Sequence, residues 1–201
     1  DALATALRLH RHHEATRPVP PTLVWSGPGD LPAGMRRTDE VLADLIRGAG
    51  ASLLLTVYTD QKEASLPEAV MQAVARGVRV RLVVDVKQPE REDNGPHPLT
   101  ELDVTRALAT RLGGLWPPVP GVEVWYDPRV LEGREFLSMH AKCVVQDGRR
   151  VLVSSANLST RAVHRNLEVG VLHDDPELAG RLTAAFDGLM ADGRLVRWSQ
   201  A

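Results

Sequence analysis

Two rhythms of apolar residues alternate along this chain. Residues 51–58 are apolar nearly throughout, the pattern of a strand covered on both faces, and the Val-rich residues 78–86 follow as a second strand. Around them apolar residues return every three or four positions. Val41, Leu42, Leu45 and Ile46 make one such stripe, with Thr38 as the expected N-cap and Asp39 and Glu40 in the first turn. Pro67 opens a second helix that runs to Ala75 and stops at Arg76-Gly77, and residues 100–112 make a third. Helix, strand, helix, strand in this order predicts an α/β unit with a parallel pair of strands.

The flanking segments fill in the rest. Residues 1–16 read as a helix with Leu3, Leu7 and His10 on one stripe, and the Pro-rich residues 17–21 as a stiff connector. The expected division is therefore 1–21 and 22–201. Short strands are predicted at 22–25 and 122–126, a closing amphipathic helix at 176–190 and an edge strand at 194–198. The polar stretch 88–98 and the Pro/Gly stretch 113–121 read as loops able to serve as lids.

Residues 136–145 alternate as a strand that ends at the turn signal Asp147-Gly148, and residues 150–153 pair back as a hairpin. Strand alternation puts His140 and Lys142 on one side. Met139, Ala141, Cys143 and Val145 then face a core. The hairpin delivers Ser155 and Asn157 into the following turn, and residues 167–172 form the next strand with Glu168 on its polar face. An imidazole, an ammonium, a hydroxyl and an amide at one sheet edge suit a phosphate. Lys supplies charge, Ser and Asn supply donors, and His attacks or transfers a proton.

Composition narrows the class. With 201 residues, 43% hydrophobic and 25% charged, the chain fits one globular domain with a sizeable core. No apolar run approaches the length of a membrane span. The single cysteine, Cys143, has no internal disulfide partner and suits a reducing cytoplasm. Net charge is −2, yet from Arg129 to Arg165 the bases Arg129, Arg134, Lys142, Arg149, Arg150, Arg161 and Arg165 outnumber the acids. This basic excess around the motif favours an anionic substrate. The cluster His10, His12 and His13 lacks companion ligands at a metal spacing, so no metal or other cofactor is expected. Of the four tryptophans, Trp125 reads as core and Trp116, in a loop, as the one candidate to stack on a base. His97 and His164 read as surface residues.

The order His140-x-Lys142-x4-Asp147, followed by Ser154-Ser155-Ala156-Asn157 and by Asn166-Leu167-Glu168-Val169-Gly170-Val171, resembles the signature of the phospholipase D superfamily. Ser154 stands where that family usually has Gly. The resemblance spans residues 38–190 and is nearest to the small single-motif endonucleases of the superfamily. It implies a phospholipase D-like fold, with a mixed, mostly parallel central sheet, helices on both faces and one motif per chain. The segment Val24-Trp25-Ser26-Gly27-Pro28 and the run Arg36-Arg37-Thr38 resemble the phospholipase D-like component of DISARM anti-phage systems, which implies other defence proteins as partners.

The resemblance also implies roles. His140 is the nucleophile or the general acid, Glu168 holds its imidazole, and Lys142, Ser155 and Asn157 bind the phosphate. Asp147, at the strand end, is read as ordering its turn. The chemistry implied is metal-independent phosphodiester cleavage on nucleic acid, with DNA favoured over RNA, through a phosphohistidine. Two histidines must face one phosphate, and this chain carries one motif, so a homodimer with a shared site is expected. Two rival readings remain open. One is the same chemistry on a phospholipid, which the lack of a basic amphipathic interfacial helix and the 4% aromatic content disfavour. The other is a nucleic-acid-binding or scaffold subunit whose site is gated or little used.

Overall fold

The segments 51–58 and 78–86 become neighbouring parallel strands near the middle of one sheet. The computed structural model of the protein describes residues 19–58, 65–86, 97–133, 138–157 and 166–199. In chain order the strands are β1 (Thr22–Ser26), β2 (Arg36–Arg37), β3 (Ser52–Val57), β4 (Arg79–Val84), β5 (Val122–Tyr126), β6 (Cys143–Gln146), β7 (Arg150–Ser154), β8 (Glu168–Asp174) and β9 (Val196–Arg197). They line up as β2-β1-β8-β7-β6-β3-β4-β5-β9.

Both faces are covered by helices, because the central strands are apolar on both sides. On one face α1 (Thr38–Arg47), α2 (Ser65–Ala75) and α3 (Glu101–Leu112) bury Val41, Leu45, Val70 and Leu108 against Leu53, Leu55, Leu82 and Val124. On the other, α4 (Pro176–Ala191) lays Ala179 and Phe186 over Leu54, Val83, Cys143, Val145 and Val151. Each fully buried Leu, Val or Phe stabilises the fold by about 1.5–3 kcal/mol. The caps follow from sequence where the chemistry is strong. Thr100 closes a capping box with Asp103 at the start of α3, and Asp175 accepts from Glu177 and Leu178 at the start of α4. No helix among the described residues is long and apolar enough to cross a membrane.

Several expectations change. The sheet is mixed, but it is not mostly parallel. Only β1–β2, β3–β4 and β4–β5 run parallel, and the other five pairings are antiparallel. The β6–β7 pair is one of these because a tight hairpin returns the chain antiparallel. The motif strand is shorter than residues 136–145: β6 begins at Cys143, so His140 and Lys142 lie on the segment entering it. Residues 134–137 fall outside the described part. Ala141 is exposed rather than inward, because the alternation of a strand does not extend back to it. Thr38 is the first residue of α1 and not its cap; its hydroxyl instead accepts from Ser26 Oγ at 2.6 Å, in a buried contact between β1 and α1.

The helix expected over residues 1–16, with its His cluster, lies outside the described residues, as do His164 and nearly all of loop 88–98. His97 is half-buried rather than at the surface. Residues 113–121 do not form a free flap. They open with a 3-10 turn (Gly113–Leu115), and Trp116 packs on Trp198 with ring centroids 4.4 Å apart and against the main core. That removes Trp116 as a simple exposed platform.

Candidate active site

Topology gathers the polar residues at one edge. Strands β3 and β4 end there and are followed by Tyr58 and Asp85. Because β6 runs antiparallel to β3, its entry segment with His140 and Lys142 arrives at the same edge. Strand β7 returns beside β6, with the Ser154 N–H donating to the Lys142 carbonyl at 3.0 Å, and so carries Ser155 and Asn157 to the same place. Strand β8 starts there with Glu168, tied by the Ser155 N–H to the Val169 carbonyl at 3.1 Å.

A tyrosine that sequence reasoning did not single out stands at the centre. The His140 ring meets the Tyr58 ring nearly perpendicularly, with centroids 4.6 Å apart and an interplanar angle of 81°. Lys142 Nζ lies 4.3 Å from the same ring's centroid and donates to the His140 carbonyl at 2.8 Å. His140 is exposed, whereas Lys142 is only 8% exposed. Burial pulls the Lys142 ammonium below its ordinary pKa, and the nearby carboxylates of Glu168 and Asp85 oppose that shift.

Behind the tyrosine sits a buried ion pair. Arg111 Nη2 meets Asp85 Oδ2 at 2.9 Å, with side chains 10% and 5% exposed, and Arg111 Nε donates to the Asp85 carbonyl at 3.1 Å. The other carboxylate oxygen of Asp85 accepts the Met139 N–H at 2.8 Å, which fixes the residue before His140. The Arg111 guanidinium carbon lies 5.8 Å from the Tyr58 centroid. The signal that would have found Tyr58 and Asp85 was present: each directly follows a strand of a parallel pair, and sites in α/β sheets gather at those carboxyl ends.

The predicted polar residues divide into groups. Ser155 Oγ donates to a Glu168 carboxylate oxygen, whose other oxygen accepts from Asn166 Nδ2 at 3.3 Å. In this arrangement Glu168 makes no hydrogen bond to His140. Asn157 Oδ1 is buried and finds no donor among the described residues. Ser154, the departure from the family's Gly, is accommodated by the opposite strand. Its partner across β7–β8 is Gly170, where an added Cβ would sit 2.9 Å from Ser154 Cβ and Oγ. The Ser154 hydroxyl turns into the chain and accepts the Ala156 N–H at 3.0 Å.

Asp147 is not at this edge, since it follows the far end of β6. There its carboxylate accepts the N–H groups of Gly50, Ala51 and Ser52 at 3.0, 2.8 and 2.8 Å. The basic residues are also less concentrated than the sequence implies. Arg149 and Arg150 lie in and after the same distant turn, Arg149 paired to Asp174 and Arg150 bonded to Gln146. Arg129 pairs with Asp127, and Arg134, Arg161 and Arg165 fall outside the described residues. Among the described residues the cations beside Tyr58 are Lys142 and, in its ion pair, Arg111.

The fold and the sequence both have known relatives. The fold is similar to NucT from Helicobacter pylori (TM-score 0.62, 19% identity, covering 89% of this chain and 99% of that one). It is also similar to Nuc, a phospholipase D family member from Salmonella typhimurium (TM-score 0.59, 19% identity, 90% and 99%). A phosphatidylserine synthase from Haemophilus influenzae also shares it (TM-score 0.57, 16% identity, 96% and 46%), so the fold alone does not choose between substrates. In sequence, 146 residues are 26% identical to the DISARM protein DrmC of Bacillus paralicheniformis, covering 72% of this chain. The chain spans 53% of that relative's own length. Residues 42–190, which hold every polar group described above, match the family described as "Cardiolipin synthase, PLD-like domain", and the chain belongs to this phospholipase D-like family.

Proposed function

We propose that this protein is a metal-independent phosphodiesterase that cleaves nucleic acid, DNA in preference to RNA, in prokaryotic anti-phage defence. The observation that carries the reading is the placement of His140 and Lys142 on one tyrosine ring. An exposed imidazole stands beside a desolvated ammonium, which is the pairing a phosphate diester needs for attack and charge stabilisation. The defence context draws on the sequence similarity to a DISARM protein.

In the proposed reaction a His140 ring nitrogen forms a bond to phosphorus as the bond to the leaving oxygen breaks. That oxygen takes its proton from His140 of the partner subunit. The same imidazole then accepts a proton from water as the water oxygen displaces the phosphohistidine nitrogen. Lys142 and Asn157 hold the nonbridging oxygens. Glu168 exchanges its Ser155 contact for the His140 imidazole when phosphate is bound, which fixes the tautomer and frees the Ser155 hydroxyl to donate to phosphate.

A single chain supplies one histidine, so the working unit is a homodimer with the site on its axis. A surface suited to pairing adjoins the half-site. Leu23, Val153 and Val169 lie on the sheet face beyond the cover of α4 and are 43%, 51% and 49% exposed, with Leu167 at 68% beside Glu168. Apolar surface of this kind at a site edge marks an interaction face.

The test is cleavage of labelled single-stranded DNA in excess EDTA by the wild type and by His140→Ala. Cleavage by the wild type alone, with RNA of the same sequence cut more slowly and phosphatidylcholine vesicles left intact, is the expected result. Hydrolysis of the vesicles with no cut in DNA would transfer the same chemistry to a phospholipid. No turnover by a folded wild type would overturn the enzymatic reading in favour of a binding or scaffold subunit.

A further inference from the structure

We propose that Tyr58 is a positioning residue of this site, its π face holding the Lys142 ammonium in place while its ring seats the His140 imidazole. The inference rests on the phosphodiesterase reading only for its consequence in turnover; the contact itself is tested without it.

The geometry favours this over simple packing. Lysine has a long, entropically costly side chain, and Lys142 is almost fully removed from water. Among the described residues its ammonium makes one hydrogen bond, to the His140 carbonyl at 2.8 Å. The ring face at 4.3 Å supplies a second partner, one that attracts a cation without neutralising it. A carboxylate in that position would cancel the charge that a phosphate has to find. An aromatic face leaves the charge available.

The remaining groups facing Lys142 support the same division of labour. Among the described residues these are His140 on its own segment, Tyr58 after β3, Asp85 after β4, Arg111 on α3 and Glu168 on β8. Arg111 also lies near the ring, at 5.8 Å, and two cations on one ring would repel. Asp85 removes that conflict by pairing with Arg111 at 2.9 Å. Its second oxygen holds the Met139 N–H, so the backbone leading into His140 is anchored to the same buried pair. Ring, ammonium and imidazole are thereby fixed relative to one another from two directions.

The ring's electrostatics are separable from its shape. Phenylalanine and a series of fluorinated phenylalanines at position 58 keep the shape while progressively emptying the π face. Lys142 is one of three lysines in the chain, with Lys62 and Lys87, so its titration is resolvable by NMR with 13C-labelled lysine. Tyr58→Phe should leave the Lys142 titration near that of the wild type. Increasing fluorination should lower it stepwise, by about one pKa unit across the series. On labelled DNA the alkaline limb of kcat should move down with it, and Tyr58→Leu should lose about ten-fold or more in kcat with a smaller change in KM. A Lys142 titration that ignores fluorination, or rises with it, would overturn the proposal. If the wild type cuts no DNA, the functional reading fails, and the NMR series still decides the role of Tyr58.

Discussion

The Asp147 carboxylate accepts the backbone N–H of Ala51 at 2.8 Å, joining positions 96 residues apart. With the N–H groups of Gly50 and Ser52 on the same carboxylate, it latches the β6–β7 turn to the start of β3. The turn itself needs two successive left-handed residues, Asp147 at φ 53° and Gly148 at φ 60°, as tight hairpin turns do. The latch sets β6 against β3, and His140 and Lys142 follow from that setting at the other end of β6.

Asp147 therefore has a pH signature. Burial acts to raise its pKa, but the N–H groups of Ser52, Gly50 and Ala51, with the Gln146 side chain, outweigh burial and hold it below the ordinary value. A carboxyl whose pKa is lowered on folding contributes stability that is present above its unfolded pKa. That stability is lost as pH falls through the folded value. Asp147→Ala should cost roughly 1–2 kcal/mol at neutral pH, at the low end for charge-assisted bonds because the residue is exposed. The difference from wild type should shrink in acid. Denaturant melts at pH 7 and pH 3 check both parts, and a penalty that stays constant would contradict the latch.

The Asp85–Arg111 pair separates stability from function. Asp85→Ala leaves a buried guanidinium without its carboxylate and should cost about 3–5 kcal/mol. Combining it with Arg111→Met should restore much of that, since neither charge is then buried alone. Turnover should not return with stability, because the Met139 N–H still lacks its acceptor and His140 its anchor. Thermal melts and DNA cleavage of the single and double variants test this together.

Subunit mixing tests the shared site. When wild type and His140→Ala are co-expressed in equal amounts, a site needing His140 from both subunits retains about one quarter of the activity per chain. A site complete in each chain retains about one half. Light scattering on the same samples should give a dimer mass, and a monomer with full activity would rule out the shared site.

Cys143 should be inert. It is 5% exposed, and burial pushes its thiol up to about 11 despite the Thr56 hydroxyl acting the other way. The thiolate is the reactive form, so labelling by a thiol reagent at pH 8 should be slow in the native state. It should become fast in denaturant. Rapid native labelling would place Cys143 somewhere other than under α4.

The sequence by itself determined the alternation of helices and strands, the covered central strands and the polar set from His140 to Glu168. These are local matters: apolar period, turn chemistry at Asp147-Gly148 and motif spacing are each carried within about thirty residues. Only tertiary structure decided what those residues touch. Tyr58 and Asp85 read only as residues at the ends of two predicted strands, and they become part of the site because β6 runs antiparallel to β3. Arg111 reads only as one residue of the helix 100–112 until Asp85 meets it. Arg149 and Arg150 read as neighbours of the motif, yet a four-residue strand carries them to the far edge. Strand direction and pairing, which no short window of sequence encodes, turn proximity along the chain into proximity in space.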